Sequence, residues 1–135
     1  MAIMLRTKCP QCGELVETLS NCCCGKCGAP ISFAGMGMVQ IYRMGSPIGI
    51  AVGYGIYLDG QPFGHLANKQ SIRIPVPFGT HTLHITCGMT RRCQDLTFTL
   101  TPQAPAAYVK AHIKMGVWSN SIIIEPAMPN EMPAE

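Results

Sequence analysis

At 135 residues, the chain is long enough for one ordinary domain and a small appendage. Its formal net charge is +3 and only 13% of its residues are charged, which is too weak an imbalance to indicate a nucleic-acid partner by itself. The longest mainly apolar run, residues 47–58, contains three glycines and is far shorter than the roughly 20 residues of a membrane-spanning helix. We therefore expect a soluble protein without a membrane span.

The eight residues before the first cysteine leave no room for the charged region and the apolar core of about 7–15 residues that make up a secretion signal. Eight cysteines in a secreted chain would suggest a disulfide framework, but the paired spacing of several of them favours reduced thiols. We therefore expect a cytoplasmic protein.

Two Cys-x-x-Cys-Gly segments stand out near the start of the chain, Cys9–Gly13 and Cys24–Gly28. Each segment places two thiolates on one turn, and four thiolates from two turns suit tetrahedral Zn²⁺. The glycine that follows each pair fits a turn that needs a positive φ. The spacing predicts a structural zinc ribbon over residues 6–30. Its expected ligands are Cys9, Cys12, Cys24 and Cys27.

The third ligand is chosen among three consecutive cysteines, Cys22, Cys23 and Cys24. Only Cys24 has the two-residue spacer to Cys27 that lets both sulfurs reach one ion, so Cys22 and Cys23 are expected to be strand residues. Either surplus thiol could still compete for the metal. A segment of about thirty residues cannot bury enough apolar surface to fold alone. Without zinc we expect residues 6–30 to be disordered and the rest of the chain to stay folded.

A short connection, residues 31–37, leads into a part of the chain in which apolar and polar residues alternate. The alternation is clearest over residues 71–76, 82–86, 96–100, 108–115 and 121–124, and turn residues separate the runs. No stretch shows a sustained helical period. The pattern predicts an all-β protein, with an antiparallel β-sandwich of seven to eight strands over residues 38–125. The proline-rich residues 126–135 are expected to be a disordered tail.

The sandwich region contains a turn at Tyr57-Leu58-Asp59-Gly60, a bend at Gly64 and a returning strand that begins Pro77-Phe78-Gly79-Thr80-His81. In this order the segments resemble the PEGA-like β-sandwich modules of bacterial proteins, and the resemblance covers about residues 38–125. The N-terminal segment resembles the zinc ribbons that precede diverse bacterial domains. The resemblance implies the fold and transfers no catalytic residue.

The histidines and the remaining cysteines offer no assignable catalytic pair. We expect His81 to pack or hydrogen-bond at a strand start, and His84 and His112 to lie on solvated faces. Asp59 and Asp95 already have turn and strand-start positions. The two cysteines Cys87 and Cys93 flank a loop and could form a disulfide if their Cα atoms lie within about 7 Å, although reduced thiols are expected in a cytosol.

The interpretation that follows is a non-enzymatic protein that serves as a protein-interaction or assembly module, with Zn²⁺ as its structural cofactor. The sequence does not identify the protein partner. The alternative is nucleic-acid binding through the ribbon, with Arg6, Lys8 and Lys26 contacting phosphate. We favour a protein partner over nucleic acid, because the ribbon has no aromatic side chain on which bases could stack.

Self-association depends on where the uncharged run at residues 48–57 lies. At a sheet edge this strand would lack the lysines and prolines that protect edges, and it would pair with a second copy. In the middle of a sheet it would not. We favour the central position, because so apolar a run is easiest to explain when both faces are covered.

Overall fold

The computed structural model describes residues 5–9, 11–18, 22–33, 35–44, 54–67, 69–86, 92–93, 95–115 and 120–132. Its strands are β1 (Leu5–Lys8), β2 (Leu15–Thr18), β3 (Cys22–Cys23), β4 (Pro30–Ile31), β5 (Gly37–Arg43), β6 (Tyr54–Leu58), β7 (Gln61–Leu66), β8 (Ser71–Val76), β9 (Gly79–Thr86), β10 (Arg92–Cys93), β11 (Asp95–Leu100), β12 (Ala106–Met115) and β13 (Asn120–Pro126). A 3-10 turn at Pro129–Glu131 is the one helical element in these ranges. Nothing helical in them has the length or the apolar character to cross a membrane. The prediction of an all-β protein is confirmed.

The strands form two large sheets that enclose one hydrophobic core. The first has seven strands in the order β10-β13-β12-β5-β8-β1-β2, the second has four in the order β11-β9-β6-β7, and β3 and β4 form a separate small pair. Most neighbours are antiparallel, while β1–β8, β5–β12 and β10–β13 run parallel. The core draws buried side chains from both large sheets, including Val39, Ile41, Ile56, Ile74, Leu83, Ile85, Val109 and Ile122.

The alternating sequence pattern explains which side chains enter this core, because successive strand residues point to opposite faces. On β5 the inward positions Val39 and Ile41 are followed by Arg43, which is 0% exposed. The Arg43 guanidinium lies 3.8 Å from the centre of the Tyr54 ring, and its Nη1 donates to the Leu66 carbonyl at 2.9 Å. A buried arginine therefore ends this apolar row, stabilised by a ring face and a backbone acceptor.

Strand β6 lies between β7 and β9 in the four-stranded sheet. The part of the uncharged run that the structure describes is therefore central, as we favoured, and Tyr54 and Ile56 are fully buried. Residues 48–53 of that run lie outside the described residues. Homo-oligomerisation stays a prediction, but residues 54–58 do not supply an open edge for it.

The N-terminal hairpin belongs to the seven-stranded sheet. Strand β1 pairs antiparallel with β2 and runs parallel to β8, with Leu5 opposite Arg73. The domain limits 6–30, 31–37, 38–125 and 126–135 stay a prediction, as does the expectation that the sandwich stays folded without zinc. The edge of β8 accepts β1, a long-range pairing that no local pattern reveals.

The C-terminal segment also differs from the expected disordered tail. Strand β13 continues to Pro126, and the Ala127 N–H donates to the Tyr108 carbonyl at 2.8 Å, so the chain follows β12 one residue further. Pro129–Glu131 then form the 3-10 turn. Residues 133–135 lie outside the described part.

His81 joins two turns at one end of the sandwich. Its Nδ1 lies 2.6 Å from Asp59 Oδ2 and its Nε2 lies 2.7 Å from the Pro77 carbonyl oxygen. Because both partners accept, the ring satisfies both only as the doubly protonated cation. Burial lowers the pKa of His81, but the hydrogen bonds to Asp59 and Pro77 outweigh it and raise the pKa. The pKa of Asp59 is lowered in turn. Burial acts to raise this pKa, and the interaction with His81 acts to lower it.

This pair predicts a pH-dependent contribution to stability. The contribution of His81 is fully present below the ordinary histidine pKa of about 6.5 and is lost as the pH rises through the raised pKa of the folded state. Replacing His81 by Gln should therefore reduce the free energy of unfolding by about 1 kcal/mol more at about pH 5.5 than at about pH 9, a modest value because Asp59 is half exposed. Urea unfolding of both proteins at the two pH values measures the difference.

The matched control is His65→Gln, which changes an exposed histidine on β7. We expect this variant to keep the pH dependence of the wild type. Equal losses for His81→Gln at both pH values would show that the ring contributes only by packing.

Candidate metal centre

Four cysteine sulfurs from two loops converge at the N-terminal end of the molecule. The Sγ atoms of Cys9, Cys12, Cys24 and Cys27 all lie within 4.8 Å of one another. The two shortest separations are 3.5 Å between Cys9 and Cys27 and 3.6 Å between Cys12 and Cys24. A tetrahedral ion with metal–sulfur bonds of about 2.3 Å places its sulfurs about 3.8 Å apart. The cluster therefore has the dimensions of a four-sulfur metal site.

The two loops have the same backbone construction. In each, the glycine after the second cysteine has a positive φ, 78° at Gly13 and 77° at Gly28. The glycine N–H donates to the carbonyl of the first cysteine, and the N–H of that cysteine donates to a carbonyl five residues on. The four bonds are Gly13 N to Cys9 O, Cys9 N to Glu14 O, Gly28 N to Cys24 O and Cys24 N to Ala29 O, at 2.8–2.9 Å. The repeated turn directs each pair of sulfurs to a common point.

Backbone donors shift the sulfur pKa values within the cluster. The pKa of Cys9 falls to about 6, chiefly because the Cys12 N–H points at its sulfur. The N–H groups of Cys27 and Lys26 lower the pKa of Cys24. At Cys12 the Glu14 N–H lowers the pKa, but burial and hydrogen bonds with the neighbouring thiols outweigh it and raise the pKa to about 12. Sulfurs this close cannot all ionise unless a cation joins them, which is the condition a metal ion meets.

The sulfurs sit beside a small apolar cluster. Cys9 and Cys24 are each 3% exposed and pack with Ala29 and Ile31, while Val16, Cys22 and Phe33 border the group. On β2, Leu15 lies against Gly64 of β7, so its neighbour Val16 points to the opposite face of the sheet. The four sulfurs and this apolar cluster therefore lie on the face of the seven-stranded sheet that is turned away from the four-stranded sheet.

The surplus cysteines lie next to this quartet. Strand β3 pairs Cys22 with Ile31 and Cys23 with Pro30. Cys22 is half-buried against the cluster and Cys23 is exposed, and neither sulfur is one of the four. The quartet thus includes Cys24 and neither of its neighbours, and ligation by Cys24 stays a prediction. Cys87 lies outside the described residues, as does the side chain of Cys93, so the redox state of this pair stays a prediction.

Two histidine–carboxylate pairs escaped the sequence reasoning. Besides His81 with Asp59, His84 Nδ1 hydrogen-bonds to Asp95 Oδ1 on the outer face of the four-stranded sheet, beside the Tyr57 ring. The register of β9 against β11 places His84 opposite Asp95, and no local pattern in the sequence specifies that register. His112 is half-buried, with its Nδ1 enclosed, where a solvated position was expected.

Of the three cations of the nucleic-acid alternative, Arg6 is engaged within the protein, whereas Lys26 is exposed. Arg6 is 4% exposed and bonds to Glu17 and to two carbonyls of β7. Lys8 Nζ lies 5.2 Å from the centre of the Phe63 ring, and Lys26 forms an exposed pair with Glu14 at 3.7 Å. The proposal that Arg6 contacts phosphate is therefore wrong, because its donors are already used inside the fold.

The chain matches no family model, and no curated protein matches its sequence. The resemblance to PEGA-like modules and to N-terminal zinc ribbons therefore stays a prediction. What stands is a mostly β fold with a cluster of four cysteines that could hold a metal ion.

Thiol alkylation should distinguish the cluster from the surplus cysteines. When metal is bound, Cys23 should react readily because it is exposed and lies outside the quartet, while Cys9 and Cys24 should be protected. Chelation should make all four cluster cysteines reactive. Residue-resolved mass spectrometry after brief alkylation, with and without chelator, measures this. Equal reactivity of Cys9 in both states would contradict metal ligation.

Proposed function

We propose that the protein is a non-enzymatic interaction or assembly module whose N-terminal lobe is fixed by one structural Zn²⁺ bound to Cys9, Cys12, Cys24 and Cys27. The observation that carries this proposal is the closed sulfur quartet. Four thiolates complete a tetrahedral shell and leave no position for water or substrate, which is the mark of a structural rather than a catalytic zinc site. A four-sulfur tetrahedral set also suits Zn²⁺ better than Mg²⁺ or Ca²⁺, which take oxygen ligands.

The histidines support the non-enzymatic part of the proposal. Both ring nitrogens of His81 are engaged, by Asp59 and by the Pro77 carbonyl, so this ring has no nitrogen left to act as a general base. The hydrogen bond described for His84 runs to Asp95, on a sheet face rather than in a cleft. Neither arrangement supplies the nucleophile–base pair that covalent catalysis requires.

The edge of the four-stranded sheet supports an interaction role. Among the described residues, strand β11 (Asp95–Leu100) ends this sheet, and it contains neither lysine nor proline, the residues that commonly keep sheet edges from pairing. Its backbone can accept an extended segment of a partner protein by strand addition. The proposed partner is therefore a protein with an extended, alternating segment.

Metal analysis tests the zinc part of the proposal. We expect about one Zn²⁺ per chain after reducing, metal-sparing purification, as four thiolates bind a single ion. Cys24→Ser should lose most of the metal, because it removes one of the four sulfurs. Elemental analysis of the purified proteins measures the stoichiometry.

The neighbouring cysteines provide matched controls. Cys22→Ser and Cys23→Ser make the same chemical change in the same strand region and should retain the metal. Retention in Cys24→Ser together with loss in Cys22→Ser would move the ligand to Cys22. A stoichiometry near zero in the wild type would overturn the zinc site.

Strand addition is tested by weakening the β11 edge. Thr97→Lys places a charge at an exposed position of β11, which disfavours pairing with an added strand. Capture of proteins from the native cell should lose a specific partner with this variant and keep it with Thr86→Lys, on the internal strand β9. Identical partner sets for the wild type and both variants would contradict binding at β11.

A further inference from the structure

Arg6 connects the metal-bearing hairpin to both sheets of the sandwich. Its Nε and Nη2 each lie 2.9 Å from Glu17 Oε1 on β2. Its Nη1 donates to the carbonyls of Phe63, at 3.0 Å, and of His65, at 2.7 Å, on β7. Strand β1, which carries Arg6, belongs to the seven-stranded sheet, whereas β7 is the outer strand of the four-stranded sheet. One buried guanidinium thus joins three strands from two sheets.

A β-bulge in β7 lies where Arg6 makes this contact. Gly55 pairs with His65 and Tyr57 pairs with Pro62, so Ile56 faces two residues, Phe63 and Gly64. Gly64 has a φ of 79°, and a Cβ built on it would lie 3.0 Å from Leu15 Cδ2 and 3.4 Å from Arg6 Nη1. Glycine therefore permits both the bulge and the close approach of the hairpin.

The same hairpin forms half of the metal site. Strand β1 ends at Lys8 and β2 begins at Leu15, so Cys9 and Cys12 occupy the loop between them. Two strands of four residues do not make a stable hairpin in water by themselves. The loop end is held by the cysteine cluster, and the strand end is held by Arg6 through Glu17 and β7.

We propose that Arg6 is a positioning residue that couples the four-cysteine site to the sandwich, so that metal binding and docking of the hairpin on β7 stabilise each other. This inference rests on the proposed function, because the cluster must bind metal. By thermodynamic linkage, the free energy by which metal binding stabilises docking equals the free energy by which docking strengthens metal binding. Loss of metal would then loosen the hairpin from β7 and from the edge of β8. The packing at these two strands of the sandwich would therefore depend on whether metal is bound.

Zinc affinity tests the coupling. Competition with a chromophoric chelator gives the affinity of the full-length wild type, of Arg6→Met and of Lys8→Met. Arg6→Met should bind Zn²⁺ about 10- to 100-fold more weakly, the range found when groups that orient metal ligands are removed. Lys8→Met also removes a cation from β1, but one that only overlies the Phe63 ring, and should change the affinity by less than about threefold. Equal affinities for Arg6→Met and the wild type would overturn the coupling.

Hydrogen exchange gives a second readout at a distance from the sulfurs. Chelation of the wild type should increase amide exchange in β1, β2 and β7, and Arg6→Met should show raised exchange in β7 even with zinc bound. Unchanged exchange in β7 after chelation would overturn the proposal. If Arg6→Met loses its β-sheet circular dichroism, Arg6→Lys replaces it, because lysine keeps the positive charge but lacks the fork of donors that reaches both Glu17 and the two β7 carbonyls. An affinity equal to that of the wild type would then count against the coupling.

The outcomes separate the coupling from the zinc site itself. A wild type that binds no Zn²⁺ would overturn the proposed function and the coupling together. A wild type that binds one Zn²⁺ with an affinity and a β7 exchange that do not depend on Arg6 would overturn the coupling alone.

Discussion

The mutual repulsion of four clustered sulfurs is the constraint on which the N-terminal part of the structure depends. With all four Sγ atoms within 4.8 Å, the thiolates can coexist only around a cation, and partial protonation splits their pKa values in opposite directions. The apolar group beside them is small, with four buried members. An apolar cluster of this size cannot stabilise residues 6–30 by burial alone, so in our proposal the bound metal supplies part of the stability of this region.

The sandwich provides the cysteine-bearing hairpin with a larger hydrophobic core and a strand partner. Its core is continuous between the two sheets, and the edge of β8 gives the first strand of the hairpin a partner in the main sheet. Val16 packs against the cysteine-containing cluster on one face of that sheet, while Leu15 and Arg6 contact β7 on the other side. The hairpin is shared by two packing regions, and its two strands continue the seven-stranded sheet.

Three ionisable side chains in the described part of the fold lie against specific partners. Arg43 lies over the Tyr54 ring, Arg6 meets one carboxylate and two carbonyls, and His81 lies between Asp59 and Pro77. Burying such groups without partners would cost several kcal/mol each. Because each partner comes from a different strand or turn, these contacts specify how the strands align rather than merely adding stability.

The sequence by itself determined the local features. The Cys-x-x-Cys-Gly spacing determined the four sulfurs, because two turns of fixed length bring two thiols each, and the period-two pattern determined the strands and their inward residues. Only the tertiary structure decided the partners: β1 beside β8, Arg6 against the bulge of β7, and His84 opposite Asp95. Such pairings join residues on different strands, and many registers satisfy the same alternation. The register is chosen only when the two sheets pack on one another.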